Sequence, residues 1–264
     1  MPGGSPGITS ERRRRPSRPT ARSARSTACA QARHHVVAVD RPGHGHSDRP
    51  AFETPGHQAD LIHRLLRQLR IVRPVIVGHS WGGALALIHA VAYPDDVAGL
   101  VLVGTRARVQ PAADDTLRRI VRVPIVGDVL RHTFLVPLGR GIVEQGLADA
   151  YAPEPVPPDA VGEARALWLR PGQVAATVVD TELLQIALVQ YEPRFASLQI
   201  PVTILVGDAD SLLPESLALH AQIPHATLRV LPGTGHMVPR TQPSVIAQAV
   251  ADVRAAAGLS RAGR

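Results

Sequence analysis

The sequence predicts an α/β protein: a mostly parallel sheet flanked by helices, with an all-helical insertion and a disordered N-terminal tail. Three observations carry this. Short apolar runs rich in valine, isoleucine and leucine recur and close on glycine or aspartate, as buried parallel strands do. Between them, apolar residues repeat three and four apart, the period of a helix face. One long interval, from about Thr105 to Gln199, shows only the helical period.

Order begins at His35-Val36-Val37-Ala38-Val39-Asp40, which reads as a buried strand, followed by a loop from Arg41 to Asp48. Leu61, Ile62, Leu65, Leu66 and Leu69 then mark one face of a helix from about Gly56 to Leu69. Pro74 to Gly78 is a second buried strand. Ala84 to Ala92 is rich in helix formers and stops before Pro94. Ala98 to Gly104 is a third strand. Strands alternating with helices over short links imply parallel pairing with right-handed crossovers.

The interval that follows carries helical spacing at Leu117, Ile120 and Val121, at Leu135, Leu138, Ile142 and Val143, and at Val174, Val178, Leu183, Ile186 and Leu188. A Pro-rich stretch, Tyr151 to Pro158, divides it. So much helix exceeds what a crossover requires, so it reads as a cap. The sheet resumes at Pro201 to Gly207 and ends at Thr227 to Leu231, with helices from Leu212 to Ala221 and from Pro243 to Ala257. The last helix turns Val245, Ile246, Val250 and Val253 inward. The expected organisation is a disordered Arg-rich segment over 1–34, an α/β core from 35–104 and 200–264, and a helical cap over 105–199.

Composition narrows the function. The chain has 264 residues, 45% hydrophobic but only 3% aromatic, so its core is aliphatic. The single cysteine, Cys29, forbids an internal disulfide. The net charge of +7 resides wholly in residues 1–33, which hold eight arginines against one acid, Glu11. The rest of the chain is balanced, and the tail lacks aromatics for stacking, so no nucleic-acid partner is expected. No leader with an apolar core and no apolar run of 18 residues occurs, so the expectation is a cytoplasmic protein without a membrane partner. The histidines are scattered without ligand spacing, so neither metal nor other cofactor is expected.

The chemistry gathers at Gly78-His79-Ser80-Trp81-Gly82. An apolar strand precedes it and a helix follows, so Ser80 sits on a sharp strand-to-helix turn. A turn that tight forces strained angles on its central residue, and the glycines two positions away on either side avoid collision. Two further groups follow later strands: Asp208 or Asp210 after Gly207, and His236 after Gly235. A serine hydroxyl needs a base to become a nucleophile, and the base needs a carboxylate to fix its tautomer. Open α/β sheets bring such groups together at the carboxyl edge.

With its Gly-His-Ser-Trp-Gly turn, Gly207-Asp208-Ala209-Asp210, Gly235-His236 and the Asp40 to Ser47 loop, the chain resembles the α/β-hydrolase family from about His35 to Ala257. The resemblance implies Ser80 as nucleophile, His236 as base and the Trp81 backbone N–H as oxyanion donor. It favours Asp210 over Asp208 as the acid, because the family carries it at the last position of Gly-x-x-Asp. His79 and Met237 are expected to line the substrate pocket. The implied activity is cleavage of a small, fairly apolar ester, thioester or related acyl substrate through an acyl-enzyme. The alternative is an impaired or truncated hydrolase-fold protein that only binds a small molecule or partner.

One feature of the family is missing. Its members place a strand between those at His35 and Ser80, followed by a His-Gly-type loop that supplies a second oxyanion donor. Residues 1–33 offer neither an apolar run nor a His-Gly pair. A misplaced start or shifted reading frame is the favoured explanation. A fragment completed by a partner and a degenerate hydrolase are the others.

Overall fold

Four of the apolar runs pair side by side in chain order: β1 (Val75–His79), β2 (Gly99–Val103), β3 (Val202–Gly207) and β4 (Thr227–Leu231). All pairings are parallel, with Val77 opposite Val101, Val101 opposite Thr203, and Val206 opposite Val230. The computed structural model describes residues 35–48, 53–110 and 135–259. Eight α-helices lie among these described residues. They are α1 (Pro55–Gln68), α2 (Trp81–Ala92), α3 (Leu135–Tyr151), α4 (Pro158–Trp168), α5 (Pro171–Tyr191), α6 (Leu213–Gln222), α7 (Val238–Thr241) and α8 (Pro243–Ala256).

β2 and β3 are buried throughout, because helices cover both faces of the sheet. Successive side chains point to opposite faces. Leu100 and Leu102 therefore join Leu87 and Ile88 of α2, together with Leu184 and Leu188 of α5, in one core. Val101 and Val103 join Ile246, Val250 and Val253 of α8 in the other. A third, small core unites Val143, Leu147 and Tyr151 of α3 with Ala160 and Ala164 of α4, and reaches Met237. By length and hydropathy α5 and its 3-10 extension would span a bilayer. Here its line Ala176, Asp180, Leu184 and Leu188 is buried.

Several expectations are corrected. His35 to Asp40 is irregular chain, not a buried strand, with Val36, Val37 and Val39 exposed. A parallel strand needs a hydrogen-bonded neighbour. Among the described residues β1 pairs only with β2, so nothing lies where His35 to Asp40 could dock. For the same reason β1 is an edge rather than an interior strand, and Val77 is 44% exposed. The apolar face of α1 is half-covered: it packs on α2, while Leu61 and Leu69 face solvent. In the cap, Ile142 and Ile186 point outward while Val143 and Leu188 are buried. The tail over 1–34 and the helix expected at Leu117, Ile120 and Val121 lie outside the described residues.

Two predictions follow from this packing. An unpaired parallel edge with an exposed valine templates association. Sedimentation velocity should therefore show mass-increased species as concentration rises, and fewer for Val77→Lys; a variant that associates equally would remove the edge as the cause. The second concerns His89 on α2, which is 1% exposed. Its Nδ1 faces the Ala59 carbonyl of α1 at 3.2 Å, while Nε2 has no partner among the described residues. Burial lowers its pKa below the ordinary 6.5, and nearby His63 adds to this; the Ala59 carbonyl, Asp96 and Asp60 oppose it. The unfolded chain thus binds the proton more readily. Stability from this group is complete above about pH 6.5 and is lost as pH falls below it, by at most about 1.4 kcal/mol per pH unit. Urea midpoints measured across that window should fall more steeply for the wild type than for His89→Gln.

Candidate active site

β1 ends at His79 and α2 begins at Trp81, so Ser80 alone makes the reversal. Its backbone lies at φ 55° and ψ −120°, a strained region for a residue with a side chain. The surroundings hold it there. Its N–H donates to the Val103 carbonyl at 2.9 Å, and its own carbonyl accepts from Gly83 at 3.0 Å and Arg106 at 3.3 Å. The chain folds back so closely that a Cβ on Gly78 would come within 2.5 Å of the Gly82 carbonyl oxygen. On the helical side the crowding differs from expectation. Gly82 has open space among the described residues, whereas a Cβ on Gly83 would collide with the Thr105 side chain. Ser80 thus stands at the N-terminus of α2, the end of a helix where the dipole is positive.

Asp210 and His236 follow the carboxyl ends of β3 and β4. His236 Nδ1 lies 2.8 Å from Asp210 Oδ2 and is the donor, since an ionised carboxylate only accepts. That leaves Nε2 as the ring nitrogen not engaged by Asp210. Asp210 is 4% exposed. Burial pushes its pKa up, but the His236 hydrogen bond, the Leu212 N–H at 2.9 Å and the charges of His236 and His79 outweigh it and hold the carboxyl below its usual range. Asp208 instead accepts the Thr234 N–H at 3.3 Å, a local turn bond. Gly104, at the end of β2, passes directly over the pair: a Cβ there would meet Asp210 Oδ2 at 2.5 Å and His236 Nδ1 at 3.0 Å.

The elbow and the His236 loop touch. The His79 ring is 4.6 Å from that of His236, centroid to centroid, and its Nε2–H donates to the His236 carbonyl at 2.9 Å. The His236 N–H in turn donates to the Ala150 carbonyl of α3, at 2.8 Å. His79 thus braces the loop through its backbone. Met237 is buried against α3 and α4 and lines a cavity of about 60 Å3 with Tyr151, Trp168 and Arg240. The Ser80 hydroxyl and His236 Nε2 are not joined by a hydrogen bond, a contact that in free enzymes often closes only when substrate binds.

Sequence reasoning missed Asp180. It lies on α5, 1% exposed, and binds Arg41, His44 and Gln58 of the core. Its partners are more than a hundred residues away in the chain, so no spacing reveals them. One signal was present: Asp180 interrupts a buried line of apolar residues at four-residue intervals, Ala176, Leu184 and Leu188.

Comparisons with known proteins identify the family to which this fold belongs. The family model described as the alpha/beta hydrolase fold matches residues 26–241. The 2-(acetamidomethylene)succinate hydrolase of Mesorhizobium japonicum is 29% identical over 227 residues, covering 81% of this chain and 76% of the relative. An alpha/beta hydrolase fold protein of known structure from Burkholderia ambifaria is 27% identical with a TM-score of 0.66, covering 81% of this chain and 78% of that one. A thermophilic esterase from Thermogutta terrifontis, solved with malate bound, is 25% identical with a TM-score of 0.62, covering 81% and 76%. The chain belongs to the alpha/beta hydrolase fold family and is an enzyme of the hydrolase type.

Proposed function

We propose that the chain is a serine hydrolase that cleaves a small, fairly apolar ester, thioester or related acyl substrate. The observation that carries this reading is the Asp210–His236 pair at 2.8 Å, whose imidazole lies 4.6 Å from that of His79, the neighbour of a strained Ser80 at a helix N-terminus. Ser80 Oγ attacks the acyl carbon and His236 Nε2 takes its proton. Asp210 holds the ring with Nδ1 protonated and stabilises the imidazolium that forms. The Trp81 N–H, first in α2, stabilises the oxyanion. His236 then returns the proton to the leaving group, and water attacks the acyl-enzyme by the same route reversed. Each oxyanion donor contributes about 10²- to 10³-fold in rate, so one donor with an intact base already makes an enzyme.

The core over 35–104 and 200–264 would carry this chemistry, and the cap over 105–199 would choose the substrate. The names of the relatives, a hydrolase and an esterase, support acyl cleavage without choosing the acyl group.

A fluorophosphonate probe should label the wild type at Ser80 and leave Ser80→Ala unlabelled. Absence of labelling in the wild type would return the chain to the binding-only alternative. Asp210→Asn should lower turnover of p-nitrophenyl acetate by about 10³- to 10⁴-fold, because the tautomer of His236 is lost. Gly104→Ala offers a second check away from the reacting atoms. Its Cβ would force Asp210 from His236, so turnover should fall by at least about tenfold while the circular dichroism stays native. An active Gly104→Ala enzyme would mean that the pair is not needed in its observed geometry.

A further inference from the structure

We infer that Asp180 is a positioning residue for the oxyanion side of the Ser80 site, acting through Arg41 and Trp81; this rests on the serine-hydrolase reading. Asp180 sits mid-helix on α5, in the cap, and a buried carboxylate is tolerated only when it is paired. Its Oδ2 accepts from Arg41 Nη1 at 2.7 Å and from His44 Nε2 at 2.9 Å. Its Oδ1 accepts from the Nε2 of fully buried Gln58 at 3.3 Å.

The same residue reaches the elbow twice. Its backbone carbonyl accepts the indole N–H of Trp81 at 3.2 Å. The Arg41 guanidinium held by its carboxylate lies 3.8 Å from the centre of the Trp81 ring, a cation–π contact. Trp81 is therefore clamped on its edge by the Asp180 backbone and on its face by the Asp180 counter-ion. Its own backbone N–H is the proposed oxyanion donor. Fixing the side chain restricts the backbone rotation that would aim that N–H elsewhere, and misplacement by about 1 Å suffices to cost about 10²-fold in rate.

The cap grips the same loop at a second place. Gln173 of α5 donates to His44 Nδ1 at 2.9 Å and accepts the Gly45 N–H at 3.1 Å, which fixes the His44 tautomer as the one donating to Asp180. Arg170 donates to the Gly45 carbonyl at 3.0 Å. Cap, loop and elbow thus form one connected polar network, and Asp180 is the residue in it that touches both Arg41 and Trp81.

A cap anchor that merely stabilises the fold and a residue that aims the oxyanion donor differ in kinetics. The experiment compares Asp180→Ala, Asp180→Asn, Trp81→Phe and the Asp180→Ala/Trp81→Phe pair. It measures p-nitrophenyl acetate turnover and the fluorophosphonate labelling rate. Asp180→Ala should lower kcat and labelling about 10- to 100-fold with KM within about threefold. Asp180→Asn, which can still accept from Arg41, should recover part of the loss. The double variant should be no worse than the poorer single one, because both break the same link. Unchanged kcat, an effect on KM alone, or losses that multiply would overturn the inference. If Asp180→Ala does not fold, Asp180→Asn and Arg41→Met carry the same comparison.

A readout independent of activity uses the two tryptophans of the chain. In Trp168→Phe, Trp81 is the sole emitter. Adding Asp180→Ala, or Arg41→Met, should shift its emission to the red and raise its acrylamide quenching; an unshifted spectrum overturns the positioning role. A wild type that fails to label would sink the serine-hydrolase reading, while this spectrum still decides whether Asp180 fixes Trp81.

Discussion

The reversal of the chain at Ser80 is the constraint on which the rest of the structure depends. A residue at φ 55° and ψ −120° is strained, and such strain of order 1–3 kcal/mol persists only where neighbours over-determine it. They do so from four directions. Val103 of β2 holds the Ser80 N–H, and Arg106 binds its carbonyl. Gly78 lets the returning helix approach the strand, and Gly83 lets that helix seat against Thr105. Every one of these partners belongs to β1, to α2, to the end of β2 or to the few residues that follow it. The pairing of β1 with β2 is therefore the condition for the elbow as well as for the sheet.

Two buried carboxylates organise what surrounds the elbow, and they do different things. Asp210 binds one imidazole nitrogen and one backbone N–H, and these bonds with the charges of His236 and His79 outweigh its burial. Asp180 joins α5 to the loop at Arg41 and to Trp81. Removing one partner of such a buried pair typically costs about 3–5 kcal/mol, against a total stability of about 5–15 kcal/mol. One binds His236, and the other reaches Trp81, the residue after Ser80.

The strands that became β1 to β4 were legible, because buried parallel strands are short apolar runs with few alternatives, and so were the helices between them apart from α4. The elbow was legible because its geometry demands small residues at fixed offsets, although the crowded position proved to be Gly83 and not Gly82. His35 to Val39 looked the same as the true strands and is not one. Local pattern records the capacity to pair, whereas pairing needs a neighbour, and the neighbour lies elsewhere in the chain. Ile142 and Ile186 show the limit for helices: apolar spacing marks a face, but it cannot say which of two adjacent faces meets the core. Asp180 was missed for a stronger reason. Its role consists entirely of contacts to residues such as Arg41, Gln58 and Trp81, which sequence leaves at arbitrary distance.

The edge at β1 sets the balance between fold and chemistry. Had it been sealed from water without a partner, each buried N–H or C=O left unpaired would cost about 1–3 kcal/mol. With Val77 and the outer face of α1 exposed, water is present at that margin. The loss is then of apolar burial, about 1.5–3 kcal/mol for each large side chain left wet. Such a loss weakens the fold in proportion to the number of exposed residues. It leaves the other side of β1 intact, where β2 and α2 fix Ser80 and where Gly104 spans Asp210 and His236. Ser80, Asp210 and His236 thus follow the carboxyl ends of β1, β3 and β4, away from the exposed flank of β1 at Val77.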